Sequence, residues 1–429
     1  MNEQEKARII DLIKKEVVPA LGCTEPIAVA LACANARRLL DARPEAISVL
    51  ASGNILKNAM GVGIPGTGEK GLFIAAALGA LGGDPDGGLE VLTGVERRSI
   101  AAARELVRNG KVTVAQKDVP ELLYVEVTCT AGDNTATVVI RDTHTNIVRT
   151  ERNGDVLFDS TRESEDGGSL SVSLGIDWLN VQKIYEFAET VPVEDIHFLL
   201  ECLEVNRALS REGLENEYGL QIGRKLQQNI RKGILTAGMM NDAVIVTTAA
   251  IDARMAGSEL PAMSNSGSGN QGITAMLPVS IAADRLGCSE EELLRALALS
   301  NLITIYIKSF LGSLSALCGV VVAATGASCG ITHLLGGDYT AICYAINNMT
   351  GNITGMICDG AKPGCAFKVS TGVIAAFEAA FLAVDGITIS GMDGIVETDI
   401  EKTIRNLTEV GSKGMTETDL MIQRIMVCK

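Results

Sequence analysis

The chain has 429 residues, 47% of them hydrophobic and 21% charged, so it can bury a large core and is not a disordered protein. Its formal charge of −15 excludes a nucleic-acid backbone or an anionic membrane surface as partner, because both select a basic face. Aromatic residues are only 3% of the chain against 45 glycines and 11 cysteines, so the core is built from small and aliphatic side chains, and a small neutral or zwitterionic substrate fits best.

Residues 4–17 place Ile9, Ile10, Leu12, Ile13 and Val17 on one side of a helix that Pro19 ends. A second helix starts at Thr24, a suitable N-cap, with Pro26 in its first turn. Residues 46–51 predict a strand. The Gly-rich stretch SGNILKNAMGVGIPGTGEKG follows, then a small-residue helix, LFIAAALGALGG. From 112 to 160 the period changes to two, with turns at 131–134 and at Asn153-Gly154, which predicts an antiparallel meander.

Beyond residue 178 the pattern is helical, near 179–190, 193–208, 217–233, 270–286, 290–308, 313–334, 338–350, 366–384, 398–410 and 416–427. Ser289 with Glu292 and Thr398 with Glu401 predict capping boxes. Gly312, Gly319 and Gly326 recur every seven residues and predict a bare stripe on one helix. The expected fold is α+β. Residues 1–178 would form an α+β domain with an antiparallel sheet, and residues 179–429 an all-helical domain.

Ser309 to Thr332 is an uncharged run of 24 residues, long enough to cross a bilayer. Ten of these are Gly, Ser or Thr, and no basic cluster flanks the run, so a buried helix is the expectation. The N-terminus shows no signal-peptide pattern. An odd number of cysteines does not make a disulfide framework, so reduced thiols in a cytoplasmic protein are expected, most of them core residues.

GxGxxG occurs at Gly61/Gly63/Gly66, Gly66/Gly68/Gly71 and Gly267/Gly269/Gly272. None directly follows a clear strand, as a dinucleotide site requires. The segment SNSGSGNQG is richer. It sets Ser264, Asn265, Ser266 and Ser268 among glycines before a helix, where amides and hydroxyls suit a carboxylate. SGNILKN is similar in kind and adds Asn54, Lys57 and Asn58. Cys358 and Cys365 flank a Gly/Pro loop before a helix, and Cys318 lies upstream on the small-residue helix. Three thiolates suit an iron–sulfur cluster, although two loop cysteines and a core cysteine fit the spacing equally. Cys23, in GCTEP at a helix start, is placed where the helix dipole favours a thiolate. Of three histidines, His144 lies beside a turn between strands, where it can orient a substrate or donate a proton.

GCTEP, SGNILKNAMGVGIPGTG, HTNI, PAMSNSGSGNQGI, SALCG and MICDGAKPGC together resemble the L-cysteine desulfidase family, relatives of the iron–sulfur L-serine dehydratases. The resemblance runs from about residue 15 to 390. It implies a pyridoxal-phosphate-independent α,β-elimination that turns L-cysteine into sulfide, pyruvate and ammonia. It implies a [4Fe–4S] cluster on Cys318, Cys358 and Cys365, with Cys23 as catalytic cysteine. Ser264, Asn265, Ser266 and Ser268 would hold the substrate carboxylate. Asn54, Lys57 and His144 would serve its amino or leaving group. Cys428 stands where related dehydratases carry a C-terminal cysteine that reaches the open iron. An L-serine dehydratase or a non-catalytic cysteine sensor would use the same machinery. A homo-oligomer is compatible with the sequence and not required by it.

Overall fold

The computed structural model describes residues 1–160, 175–312 and 315–427. The amino-terminal part begins with α1 (Glu3–Glu16), β1 (Pro19–Ala20), α2 (Thr24–Leu40), β2 (Ala46–Ala51), α3 (Gly53–Ala59), α4 (Leu72–Gly82) and α5 (Arg97–Arg108). It continues through β3 (Val112–Gln116), β4 (Tyr124–Ala131), β5 (Asn134–Arg141), β6 (Ile147–Arg152) and β7 (Asp155–Asp159). Six strands form one sheet in the order β3-β2-β4-β5-β6-β7. The meander runs from β4 to β7 and not, as expected, from residue 112. β3 pairs in parallel with β2, because the connection through α3, α4 and α5 is a crossover and not a hairpin. Sequence periodicity shows a strand but not its partner.

The remaining chain is helical: α6 (Val181–Thr190), α7 (Val193–Ile196), α8 (Phe198–Glu215), α9 (Ile222–Arg231) and α10 (Met239–Met255). The short strand β8 (Ala262–Met263) precedes α11 (Gly269–Leu286), α12 (Glu290–Leu311), α13 (Gly319–Leu334), α14 (Tyr339–Ile353), α15 (Cys365–Val384), α16 (Ile400–Glu409) and α17 (Thr416–Val427). The α+β class holds. α5, α10 and the last turns of α8 emerge from stretches where the sequence pattern gave a weaker signal.

The long uncharged run is not one helix. α12 ends at Leu311, Gly312 closes it with φ +86°, and α13 starts only at Gly319. Gly312 is therefore not part of the predicted stripe. Gly326 does bring α13 against α12, since a Cβ there would collide with Ser300 and Thr304. Among the described residues two helices, α12 and α15, are long and apolar enough to cross a membrane. The apolar windows of these two are 89% and 50% buried inside the protein.

The capping box at Ser289 and Glu292 forms. That at Thr398 does not. Asp399 caps α16, and Glu401 instead accepts from the Val181 amide and the Tyr306 hydroxyl, tying three helical segments together.

Two hydrophobic cores result. One lies between the sheet and α2 with α4, around Val49, Val125, Val127, Val138 and Ile140. The other fills the helical part and takes in Ile9, Leu12 and Ile13 of α1. Near the site β1 pairs antiparallel with β8, and the Ser264 amide extends the pairing to Val18 O at 2.8 Å. This pairing sets the GCTEP turn beside the SNSGSGNQG loop.

Candidate functional site

A cleft of about 480 Å³ opens where the two cores meet. Cys23, Glu25, Asn58, His144, Arg254 and Lys308 line it, with Ser266, Ser268, Asn270 and Gln271. The three cysteines Cys318, Cys358 and Cys365 line the same cavity.

Four helices present their N-termini here. Cys23 is the N-cap of α2, Ser268 of α11 and Cys318 of α13, and Cys365 is the first residue of α15. Each N-terminus carries unpaired amides and the positive end of a helix dipole, so the cleft favours anions.

The cysteine loop is built locally. Leu317 bridges Ile357, the Cys318 amide bonds Met356 O at 3.0 Å, and the Cys358 amide bonds Ala316 O at 2.6 Å, so Cys318 and Cys358 are adjacent. Gly360 turns the loop with φ +89°, and a side chain there would strike the Lys57 carbonyl. Asp359 sits between Lys362 and Lys368, which outweigh its burial and bring its pKa to about 2. Burial and the neighbouring Cys358 push Cys318 up to about 12, and burial raises Cys365.

Among the described residues no group of His, Cys, Asp and Glu closes on a point that would hold a single metal ion. A cluster is different, since each thiolate binds its own iron and the sulfurs stand apart around one cavity. Cys318, Cys358 and Cys365 line one cavity.

Cys23 corrects an expectation. It is buried, and burial together with the Glu25 carboxylate raises its pKa well above the ordinary thiol value. The helix dipole is outweighed, so at rest Cys23 is a thiol and not a thiolate. Its Sγ donates to Glu25 Oε2 at 2.9 Å. Glu25 also accepts from Thr24 Oγ1 at 3.3 Å and, through Oε1, from Asn58 Nδ2 at 2.9 Å. Burial alone would raise the Glu25 pKa. The charge of His144 and the bonds from Cys23 and Asn58 outweigh it, and the pKa is lowered.

The polar loop divides. Ser264 Oγ is spent on Val18 O at 2.6 Å, and Asn265 Nδ2 bonds Asn301 Oδ1 at 2.9 Å, so both brace the loop from behind. Ser266, which has φ +50°, and Ser268 face the cleft. Arg254 joins the two motifs, donating to Gly22 O at 2.6 Å and to Asn270 Oδ1 at 2.8 Å.

Lys57 and Asn54 are buried in α3 but do not line the cleft. Lys57 Nζ pairs with Asp419 of α17 at 2.5 Å, which corrects the role expected for it at the reacting groups. His144 does face the cleft, and burial lowers its pKa. Cys428 lies outside the described residues.

Sequence reasoning missed Glu25, Arg254 and Lys308. Glu25 stood inside a motif already noticed. Arg254 was the one cation of α10, and Lys308 the one cation in the apolar stretch of α12 that follows Arg295, and that was the available signal. Lys308 is buried near the end of α12, and burial brings its pKa to about 8 against the opposing charges of Cys358, Glu25 and Cys318. Asn58 Oδ1, His144 Nε2, Arg254 Nε and Gln271 Oε1 are buried around the cleft without a partner, an arrangement that a bound polar group completes.

Residues 87–423 match the family model described as serine dehydratase alpha chain. The chain belongs to that family, which implies a lyase of the dehydratase type. It is 51% identical over 430 residues to a UPF0597 protein of Oleidesulfovibrio alaskensis, covering all of both chains. It is 48% identical over 433 residues to a UPF0597 protein of Bacteroides thetaiotaomicron, covering 100% of this chain and 99% of the relative. A UPF0597 protein of Actinobacillus pleuropneumoniae serotype 3 is 47% identical over 430 residues, covering 100% of this chain and 98% of the relative.

Proposed function

We propose that the chain is an iron–sulfur lyase that eliminates sulfide from L-cysteine, giving pyruvate and ammonia after hydrolysis of the enamine. The observation that supports it best is the assembly of Cys318, Cys358 and Cys365 on one cavity with Cys23, under four helix N-termini. Cys318, Cys358 and Cys365 would hold a [4Fe–4S] cluster. Bound there through three thiolates, it would offer Lewis acidity to the substrate's leaving group.

The chain's own residues supply the rest. The amides that open α11, with Ser266 and Ser268, face the cleft where an anionic carboxylate is favoured. The unpartnered Asn58 Oδ1 and Gln271 Oε1 offer acceptors to an ammonium group. Lys308 adds positive charge among these groups. Cys23 takes the Cα proton, for which a base must stand within hydrogen-bond reach. The substrate is a small amino acid, and the location is cytoplasmic.

The family match favours a second reading, L-serine as substrate with water as the eliminated group. Anaerobic purification, with iron and sulfide counted and pyruvate measured from both amino acids, tests the two. Pyruvate from L-cysteine at the higher kcat/KM supports the first reading. A preference for L-serine selects the second, and pyruvate from neither overturns both.

A further inference from the structure

The resting thiol at Cys23 leaves a gap in the chemistry, since a neutral thiol cannot take a proton from carbon. Glu25 fills it. Its Oε2 lies 2.9 Å from Cys23 Sγ, and its Oε1 is held by Asn58 Nδ2 at 2.9 Å, so the carboxylate is fixed with one oxygen on the sulfur. Cys23 is the N-cap of α2, Glu25 lies in its first turn, and both are buried. The geometry has no need of water: donor and acceptor already share the proton's path.

We infer that Glu25 is the proton acceptor that converts Cys23 to the reactive thiolate during turnover, acting on substrate only through Cys23. The inference rests on the lyase reading above. In the step, the Sγ–H bond breaks and an O–H bond forms on Glu25. The sulfur electron pair then takes the Cα proton, re-forming S–H. The Cα–H pair becomes the Cα=Cβ bond as the Cβ–leaving-group bond breaks with its electrons. The proton on Glu25 then passes to the expelled hydrosulfide or hydroxide, which departs as hydrogen sulfide or water. Cys23 ends as a thiol and Glu25 as a carboxylate, so the pair is restored with no external oxidant or reductant.

The surroundings act on both members of the pair. The charged and titratable groups that face the pair are His144 from the β5–β6 turn, Arg254 from α10 and Lys308 from α12. His144 favours the Glu25 carboxylate before the transfer, and Arg254, a permanent cation, favours the Cys23 thiolate after it. Asn58 holds the carboxylate whichever group carries the proton.

The test uses Glu25→Gln and Glu25→Asp in the anaerobically purified chain. Glu25→Gln keeps the size and the Asn58 contact but cannot take a proton. We expect it to retain iron and KM while kcat falls by roughly 10²–10⁴-fold, the usual worth of general acid–base catalysis. Glu25→Asp is expected to recover part of kcat, with a displaced pH–rate profile. A second readout needs no turnover: the pH dependence of Cys23 alkylation, read by mass spectrometry of its peptide. Removing the adjacent negative charge should move that profile to lower pH in Glu25→Gln. A kcat in Glu25→Gln within about threefold of the parent overturns the inference. If the parent makes pyruvate from neither amino acid, the lyase reading fails and alkylation alone decides. Superimposable alkylation profiles then overturn the coupling of Glu25 to Cys23, and a shift to lower pH sustains it.

Discussion

Lys57 offers the sharpest test of how the structure reassigns a residue. Its side chain is 1% exposed and its Nζ meets Asp419 Oδ1 at 2.5 Å, joining α3 to the C-terminal helix α17. Removing one member of a buried pair typically costs about 3–5 kcal/mol, because the other charge is left without compensation. The two single variants should not be equal. Lys57→Met strands Asp419, whose side chain keeps 11% exposure and a 3.0 Å bond from Gln423 Nε2, so the loss falls near ~3 kcal/mol. Asp419→Leu strands a lysine with almost no access to water, so the loss approaches ~5 kcal/mol. The double variant replaces both charges by apolar groups and should return to within ~1 kcal/mol of the parent, or exceed it. Urea midpoints should therefore rank Asp419→Leu lowest, Lys57→Met next, and the double variant level with the parent. Turnover in the double variant should persist, since Lys57 does not line the cleft. A double variant as unstable as the worse single variant would refute the pairing. Restored stability with abolished turnover would return Lys57 to the chemistry.

Cys358→Ala and Cys365→Ala should each lower iron after anaerobic reconstitution to near background, and normal iron in either would count against the ligand assignment. Cys23→Ala should keep its iron and lose pyruvate formation; full activity would remove Cys23 as the proton-abstracting group. Gly360→Ala imposes a left-handed backbone on a side chain, costing about 1–2 kcal/mol, and drives a Cβ into the Lys57 carbonyl, costing about 1–3 kcal/mol more. Its thermal midpoint and iron retention should both fall. An unchanged midpoint would mean that the turn relaxes without strain.

Much of the site was legible because its motifs are local. GCTEP places a cysteine at a helix start, and Gly360, Pro363 and Gly364 make a loop between two cysteines, so Cys23, Cys358 and Cys365 were visible as positions of chemistry. Cys318 was visible too, but in the wrong setting. The apolar run predicts a helix from 313, whereas the structure starts it only at Gly319, and this later start makes Cys318 an N-cap facing the cleft. The serine cluster shows the same limit. Four neighbouring polar residues look equivalent in sequence, yet two are consumed by Val18 and Asn301 and two face the cavity, because β8 pairs with β1 and fixes the loop's orientation.

By itself the sequence determined the α+β class, most helices and the hairpin turns, since these follow from periodicity and short-range turn chemistry. It also determined that Cys23 and Cys365 stand at helix starts and Cys358 in a loop. Only the tertiary structure decided ionisation and partnership. Cys23 is held as a thiol because a carboxylate two residues away is buried with it, and electrostatics between buried groups depend on distance and solvent access, which sequence spacing does not contain. Lys57 was drawn off by a residue 362 positions away, and Lys308 and Arg254 were brought to the cleft from separate helices. Long-range packing alone places such charges, and they set what the cleft can bind.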